Sequence, residues 1–148
     1  MKIRVLTLLL GSNMGVRETN LQAAETRLDA FFGSAPLARS AVMETEALGF
    51  DGPPFLNLVL CYPCRRLPET VLRRCKAIER ALGREDAPLY DATGQRIYRN
   101  RPIDIDILSY GELVRNTPLL KIPHPQIESR LFVRTLLAQL PPHIGQAR

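Results

Sequence analysis

Apolar residues run almost without a break from Val5 to Leu10, interrupted only by Thr7. A short, continuous, β-compatible run is what a strand buried on both faces requires. Gly11-Ser12-Asn13 punctuates it, and the period then changes. Leu21, Ala24, Leu28 and Phe31/Phe32 recur three and four residues apart, which predicts a helix from about Thr19, with Thr19 or Asn20 as N-cap and Gly33 as its stop. A second strand is expected over residues 38–45. Residues 46–54 carry Gly49, Gly52, Pro53 and Pro54 and read as a loop. Residues 55–62 (FLNLVLCY) are aromatic and β-branched enough for a third strand. Pro68 and Glu69 open a second helix, with an apolar face of Val71/Leu72, Cys75, Ile78 and Leu82, and Gly83 ends it. A long polar stretch, 84–100, follows. Such a loop in a compact domain is commonly functional or disordered. A fourth strand is expected over 103–108, a turn at 110–112 and a short returning strand at 113–114. Prolines extend 122–125, and a last helix is expected over 129–140.

The order β-α-β-β-α-β with a helical tail is the α+β, ferredoxin-like pattern. Both helices would cover one sheet face and leave the other to the tail and the long loops. The 148 residues suit one domain spanning 1–148. The mix, 45% apolar and 24% charged, excludes disordered, collagenous and low-complexity classes. No apolar run is long enough to span a membrane, and the first strand lacks a signal-peptide cleavage site, so a cytoplasmic protein without membrane association is expected. Three cysteines, Cys61, Cys64 and Cys75, make no disulfide framework. A net charge of +5, from 17 arginines and only three lysines, points to an anionic partner. Arginine favours planar, bidentate contacts with phosphate or carboxylate.

The sharpest local feature is Arg101-Pro102-Ile103-Asp104-Ile105-Asp106-Ile107. Alternation in a strand puts Asp104 and Asp106 on one face, their Cα atoms roughly 7 Å apart, and the three isoleucines on the other. Aspartate is a poor strand former, and two on one face repel unless a cation lies between them. The pair therefore reads either as a site for one or two magnesium ions in phosphoryl chemistry or as a solvated face paired to arginine. Asn57 interrupts an apolar strand and needs hydrogen-bond partners, either neighbouring backbone or a flat heterocycle stacked near Phe55. Gly11-Ser12-Asn13 has neither P-loop nor Rossmann spacing. Cys61-x-x-Cys64 contains Pro63, ends a strand and has no second CxxC, so neither a redox nor a metal role is expected of it.

Together these pieces resemble the 6-hydroxymethyl-7,8-dihydropterin pyrophosphokinases of folate biosynthesis. The resemblance rests on LLLGSN at 8–13, TEALGFDGPPFLN at 45–57, AIERALGR at 77–84, RNRPIDIDILSYG at 99–111 and IPHPQIESRLFV at 122–133. It implies transfer of the β,γ-pyrophosphoryl group of ATP to the hydroxymethyl oxygen of the pterin, with release of AMP. It implies two magnesium ions on Asp104 and Asp106. Phe55, Asn57 and Phe132 would hold the pterin, with Thr45, Ala47 and Leu48 reading its edge. Glu79, Arg84, Arg101, His124 and Arg130 match residues that contact ATP or its phosphates, and Tyr98 stands where many members have a tryptophan that closes over the site. Arg84 and Arg101 join the two aspartates as the expected catalytic set. A further loop arginine is either Arg96 or Arg99. Glu46 and Ala47 replace a usual proline pair, and the 84–101 loop is longer than is common. The partners implied are small molecules only, with no nucleic acid, and the chain is expected to be a monomer. A ferredoxin-like RNA-binding module would use the same positive charge, but the chain lacks the K/R-G-F/Y-G/A-F-V pattern, and Asp104 and Asp106 would repel RNA phosphates.

Overall fold

The computed structural model describes residues 1–47, 51–84, 89–90, 92–94, 96–97 and 100–145, with the side chains of 89, 90, 96, 97, 143 and 145 outside that description. Strand β1 (Arg4–Ser12) is the centre of the sheet. It pairs antiparallel with β4 (Phe55–Cys64) on one side and with β7 (Asp104–Tyr110) on the other. Beyond β4 lie two short pieces, β2 (Ala38–Arg39) and β3 (Met43–Thr45), both antiparallel to it. The sheet order is β2-β4-β1-β7, with β3 also on β4.

Helices α1 (Arg17–Phe32) and α2 (Pro68–Ala81) cover one face. Leu6, Leu8, Leu10, Leu58, Leu60, Ile105 and Ile107 point into that layer and meet Leu21, Leu28, Val71 and Ile78. The opposite face carries a smaller core of Leu9, Val59, Cys61 and Leu108 beneath the tail residues Val133, Leu136, Leu137 and Leu140. Polar ends of strands that project on this second side, beyond the tail, are free for chemistry. The molecule is an α+β fold with helices on one face and the C-terminal tail on the other.

Several elements differ from the pattern-based expectation for physical reasons. The second strand is broken because the Ser40 hydroxyl accepts the Val59 N–H at 2.9 Å in place of a backbone carbonyl. The pairing slips by one residue there, from Arg39↔Leu60 to Met43↔Asn57. Helix α1 starts earlier, at Arg17, behind a Val16 that caps nothing with its side chain. Asn20 instead bonds the Met14 carbonyl at 2.8 Å. Gly33 ends α1 with φ of 73°, a left-handed conformation that suits glycine. The third strand runs two residues further, to Cys64.

The long loop holds a small hairpin, β5 (Leu89–Tyr90) with β6 (Arg96–Ile97). The returning strand lies at β8 (Arg115–Asn116), not 113–114, and pairs with β9 (Lys121–Ile122). The last helix is split into α3 (Gln126–Ser129), α4 (Leu131–Leu137) and α5 (Pro142–Gly145). Arg130 separates the first two in an extended conformation, φ −125° and ψ 111°. No helix among the described residues is long and apolar enough to cross a membrane.

Candidate functional site

The sheet register sets the site. Gly11 of β1 is opposite Asn57 on one side and Asp104 on the other. Leu9, two residues back, is opposite Val59 and Asp106. Asn57, Gly11 and Asp104 thus form one row across three adjacent strands on the tail-side face. With strands about 4.8 Å apart, the row spans roughly 10 Å. Gly11 contributes no side chain to it. A Cβ there would lie 3.4 Å from Asn57 Oδ1 and 3.5 Å from the Phe55 ring, so glycine keeps the floor of this row open.

At one end of the row, both donors of the Asn57 amide are committed within the protein. Nδ2 donates to the Met43 carbonyl at 3.2 Å and to Thr45 Oγ1 at 2.8 Å. The amide can still accept through Oδ1, the atom nearest the Gly11 floor, and the Thr45 hydroxyl can still donate. Phe55 and Ala47 are partly exposed beside them. Phe132 is also partly exposed, and the Arg130 guanidinium lies over one face of its ring at 4.4 Å. A ligand ring stacked on Phe132 would use the other face.

At the other end the charges are dense. Asp104 and Asp106 are both partly exposed on β7, as strand alternation requires, while Ile103, Ile105 and Ile107 are buried. Arg84, just past α2, reaches Asp104 Oδ1 at 2.7 Å and Glu79 Oε2 at 2.8 Å. Glu79 is wholly buried, and its Oε2 also accepts the Ile105 N–H at 2.7 Å on the outer edge of β7. Its other oxygen, Oε1, has no hydrogen-bond partner. Burial, then the Asp104 charge, pushes the Glu79 carboxyl up to about 7, against the pull of Arg84. Burial and the Asp104 charge likewise push Asp106 up to about 7. Two partly exposed aspartates on one strand face suit a hard divalent cation, which takes carboxylate oxygens and completes its shell with water and phosphate. Among the described residues, no group of three or more His, Cys, Asp or Glu is arranged to hold a metal by itself. The protein's share there is a two-aspartate platform open to a ligand.

The segment after β9 lines the same end. The pairing of β7 with β1 skips one residue between Ile107 and Ser109, so Leu108 is an insertion in the ladder. The Leu108 carbonyl accepts the His124 N–H at 2.8 Å, which seats His124 along the strand edge. His124 Nδ1 accepts the Gln126 N–H at 3.2 Å, so a neutral ring carries its proton on Nε2, as a donor. Burial lowers its pKa, opposed by Asp104. Burial also lowers that of Arg130, opposed by Asp106 and Asp104.

Asn13 gathers the loops. It is buried, bonds Arg101 through both backbone and side chain, and donates through Nδ2 to the Pro53 carbonyl and to Asn100 Oδ1, each at 3.1 Å.

The structure thus gathers Arg84, Asp104, Asp106, His124 and Arg130 into one acidic-basic cluster with Glu79 beneath it, while Phe55, Asn57 and Thr45 form the other end of the row. Glu79 is placed as a buried anchor for Arg84 and β7. Leu48, Tyr98 and Arg99 lie outside the described residues, as does the Arg96 side chain. Cys61 and Cys64 sit in the cores on opposite faces of the sheet. Gln126 carries no signal of its own in the sequence, and Gly11-Ser12-Asn13 only a weak one. A glycine and an asparagine after a buried strand were visible, but only the register gives them a task.

Comparison with known proteins bears on this cluster. A sequence model of the 7,8-dihydro-6-hydroxymethylpterin-pyrophosphokinase family matches residues 7–142. The chain is 39% identical over 140 residues to a 2-amino-4-hydroxy-6-hydroxymethyldihydropteridine pyrophosphokinase of Porphyromonas gingivalis, covering 93% of this chain and 91% of that one. A protein of the same name from Aquifex aeolicus is 35% identical over 136 residues, 91% of this chain and 79% of its own. A folate synthesis bifunctional protein of Arabidopsis thaliana is 37% identical over 132 residues, 88% of this chain and 26% of its own length.

Proposed function

The chain belongs to the 7,8-dihydro-6-hydroxymethylpterin-pyrophosphokinase family, and on that premise we propose how its residues divide the work. The reaction is transfer of pyrophosphate from ATP to the hydroxymethyl group of 6-hydroxymethyl-7,8-dihydropterin, with release of AMP, in folate synthesis. The observation that carries the assignment of residues is the row Asn57–Gly11–Asp104. It sets a heterocycle-reading amide about two strand spacings from an aspartate pair.

The pterin lies over the Gly11 floor. Asn57 Oδ1 accepts from a ring N–H, the Thr45 hydroxyl donates, and Phe55 and Phe132 stack on the ring. Ala47 and Leu48 supply backbone to its edge. This orients the hydroxymethyl oxygen toward the aspartates and the bound triphosphate. Proximity of this kind accounts for much of the acceleration in phosphoryl transfer, where the protein does little covalent chemistry.

Asp104 and Asp106 would hold two magnesium ions together with phosphate oxygens of ATP. When bound, the magnesium neutralises charge as it shifts onto the AMP leaving group. Arg84 is held by Glu79 and Asp104 and would share the triphosphate charge from there. Arg101, Arg130 and the His124 Nε2 proton donate to phosphate oxygens. Tyr98 would contact ATP, and one of Arg96 or Arg99 its phosphates.

The fold is read as ferredoxin-like, since β1, β4, β7 and the β2/β3 edge follow the split βαβ arrangement with α1 and α2 on one face. The chain works as one domain over 1–148, as a cytoplasmic monomer on small molecules. The test is AMP formation from ATP and the hydroxymethyl-dihydropterin with magnesium. AMP is expected from the wild type and not from Asp104→Asn/Asp106→Asn. No AMP above background from folded wild type would sink the proposal.

A further inference from the structure

We propose that Gln126 is the residue that positions Asp106 and Arg130 against each other, and that it thereby sets how strongly the site binds its divalent cation. The inference rests on the reading of Asp106 as a metal ligand given above.

Gln126 is 7% exposed and opens α3. Its Nε2 donates to Asp106 Oδ2 at 3.0 Å. Its Oε1 takes a long contact, 3.5 Å, from Arg130 Nη1. Its backbone is also engaged at both polar atoms. The N–H donates to His124 Nδ1 at 3.2 Å, and the carbonyl accepts the Arg130 N–H at 3.0 Å. One buried residue therefore touches the aspartate, the histidine and the arginine at this end of the site.

The polarity of the amide fits this place. It presents a donor to Asp106 and an acceptor to Arg130 from adjacent atoms. A glutamate would face Asp106 acceptor to acceptor. A lysine or arginine would face Arg130 donor to donor, and would also compete with the cation for the Asp106 charge. A neutral amide fixes the Asp106 carboxylate through Oδ2 and leaves its other oxygen to the metal. Partners that hydrogen-bond a metal-ligating carboxylate fix its orientation, and losing one typically costs about 10- to 100-fold in metal affinity or activity. Gln126 touches no substrate in this account. It is a positioning residue.

The variants are Gln126→Leu and Gln126→Met, which keep the bulk and remove the amide. Two variants guard against one failing to fold, and circular dichroism melts report on that. Metal binding is read without turnover, by electron paramagnetic resonance of free Mn2+ in the presence of α,β-methylene-ATP. Both variants should bind Mn2+ about 10- to 100-fold more weakly than wild type. Steady-state half-saturation by magnesium should rise in parallel, with kcat at saturating magnesium within about threefold and the pterin KM little changed. Unchanged Mn2+ binding in a folded variant overturns the role of Gln126. A drop in kcat that saturating magnesium does not recover, at unchanged Mn2+ affinity, also overturns it. Absence of AMP release by wild type would sink the functional reading alone, because the Mn2+ comparison stands without turnover.

Discussion

Asn13 and Arg101 are bound to each other twice. The Asn13 N–H donates to the Arg101 carbonyl at 3.0 Å, and the Arg101 N–H donates to Asn13 Oδ1 at 2.6 Å. With its Nδ2 on Pro53 and Asn100, Asn13 ties the end of β1 to two loops far away in sequence. Asn13→Ala would leave the Arg101 N–H, the Pro53 carbonyl and the Asn100 side chain without this partner. A loss of about 2 kcal/mol in urea unfolding is expected, together with a fall in kcat of about tenfold or more. Wild-type stability and turnover in the variant would refute the role.

Arg84 balances Glu79 and Asp104, and removing it leaves Glu79 buried beside Asp104 with its closest counter-charge gone and only the longer contact to Lys76, at 4.0 Å, opposing it. Arg84→Ala should destabilise the chain by about 3 kcal/mol at pH 8. The cost should shrink at pH 5, because Glu79 then carries a proton. Adding Glu79→Gln should recover part of the loss at pH 8. Equal destabilisation at both pH values would contradict this account.

The metal-free chain should lose stability as pH rises. Glu79 and Asp106 keep protons up to about pH 7 when folded, whereas the unfolded chain gives them up near pH 4. Between those values the folded state binds more protons, so its advantage is full below pH 4, declines as pH rises to about 7, and changes little above that. The Tm without magnesium should fall by several degrees between pH 5 and pH 8, and Asp106→Asn should flatten the profile. A Tm that climbs over that window in calorimetry would be the contrary result.

Gly11→Ala should separate folding from function. The added methyl meets two side-chain atoms at 3.4 and 3.5 Å and the Leu56 carbonyl at 3.9 Å, all ordinary van der Waals contacts, so stability should change by less than about 1 kcal/mol. It would, however, rise into the floor beneath the pterin. The pterin KM should increase by about tenfold or more, with the ATP KM little altered. An unchanged pterin KM would move the ring off this floor.

Asn57→Ala removes both the accepting oxygen and two bonds that hold β3. The pterin KM should rise with kcat affected less, alongside a loss of about 1–2 kcal/mol in stability. Equal pterin affinity in isothermal titration of mutant and wild type would rule out contact.

Much of this was legible in the chain. The alternation at Asp104 and Asp106 needs only strand geometry, and both residues lie on the face that alternation requires. The two main helices follow from periodic apolar positions. What could not be read was set by register and by side chains acting for backbone. Ser40 breaks the second strand because its hydroxyl replaces a carbonyl, and no hydropathy pattern carries that. Gly11 gains its meaning only from being opposite Asn57 and Asp104 in the sheet. Asn57 needs either neighbouring backbone or a flat ring as partner on sequence grounds, and the structure gives its two donors to Met43 and Thr45 while leaving Oδ1 to accept. The tail splits at Arg130, which lets that side chain lie over Phe132 rather than continue a helical face.

The outer edge of β7 has a further consequence. An unpaired strand edge is a template on which another chain can add and aggregate. Here Glu79 takes the Ile105 N–H and His124 takes the Leu108 carbonyl. The residues that furnish the site thus also blunt the edge that carries it. Variants of Glu79 made to probe catalysis should therefore lose solubility at high concentration as well as activity. The two losses have one origin, an exposed edge.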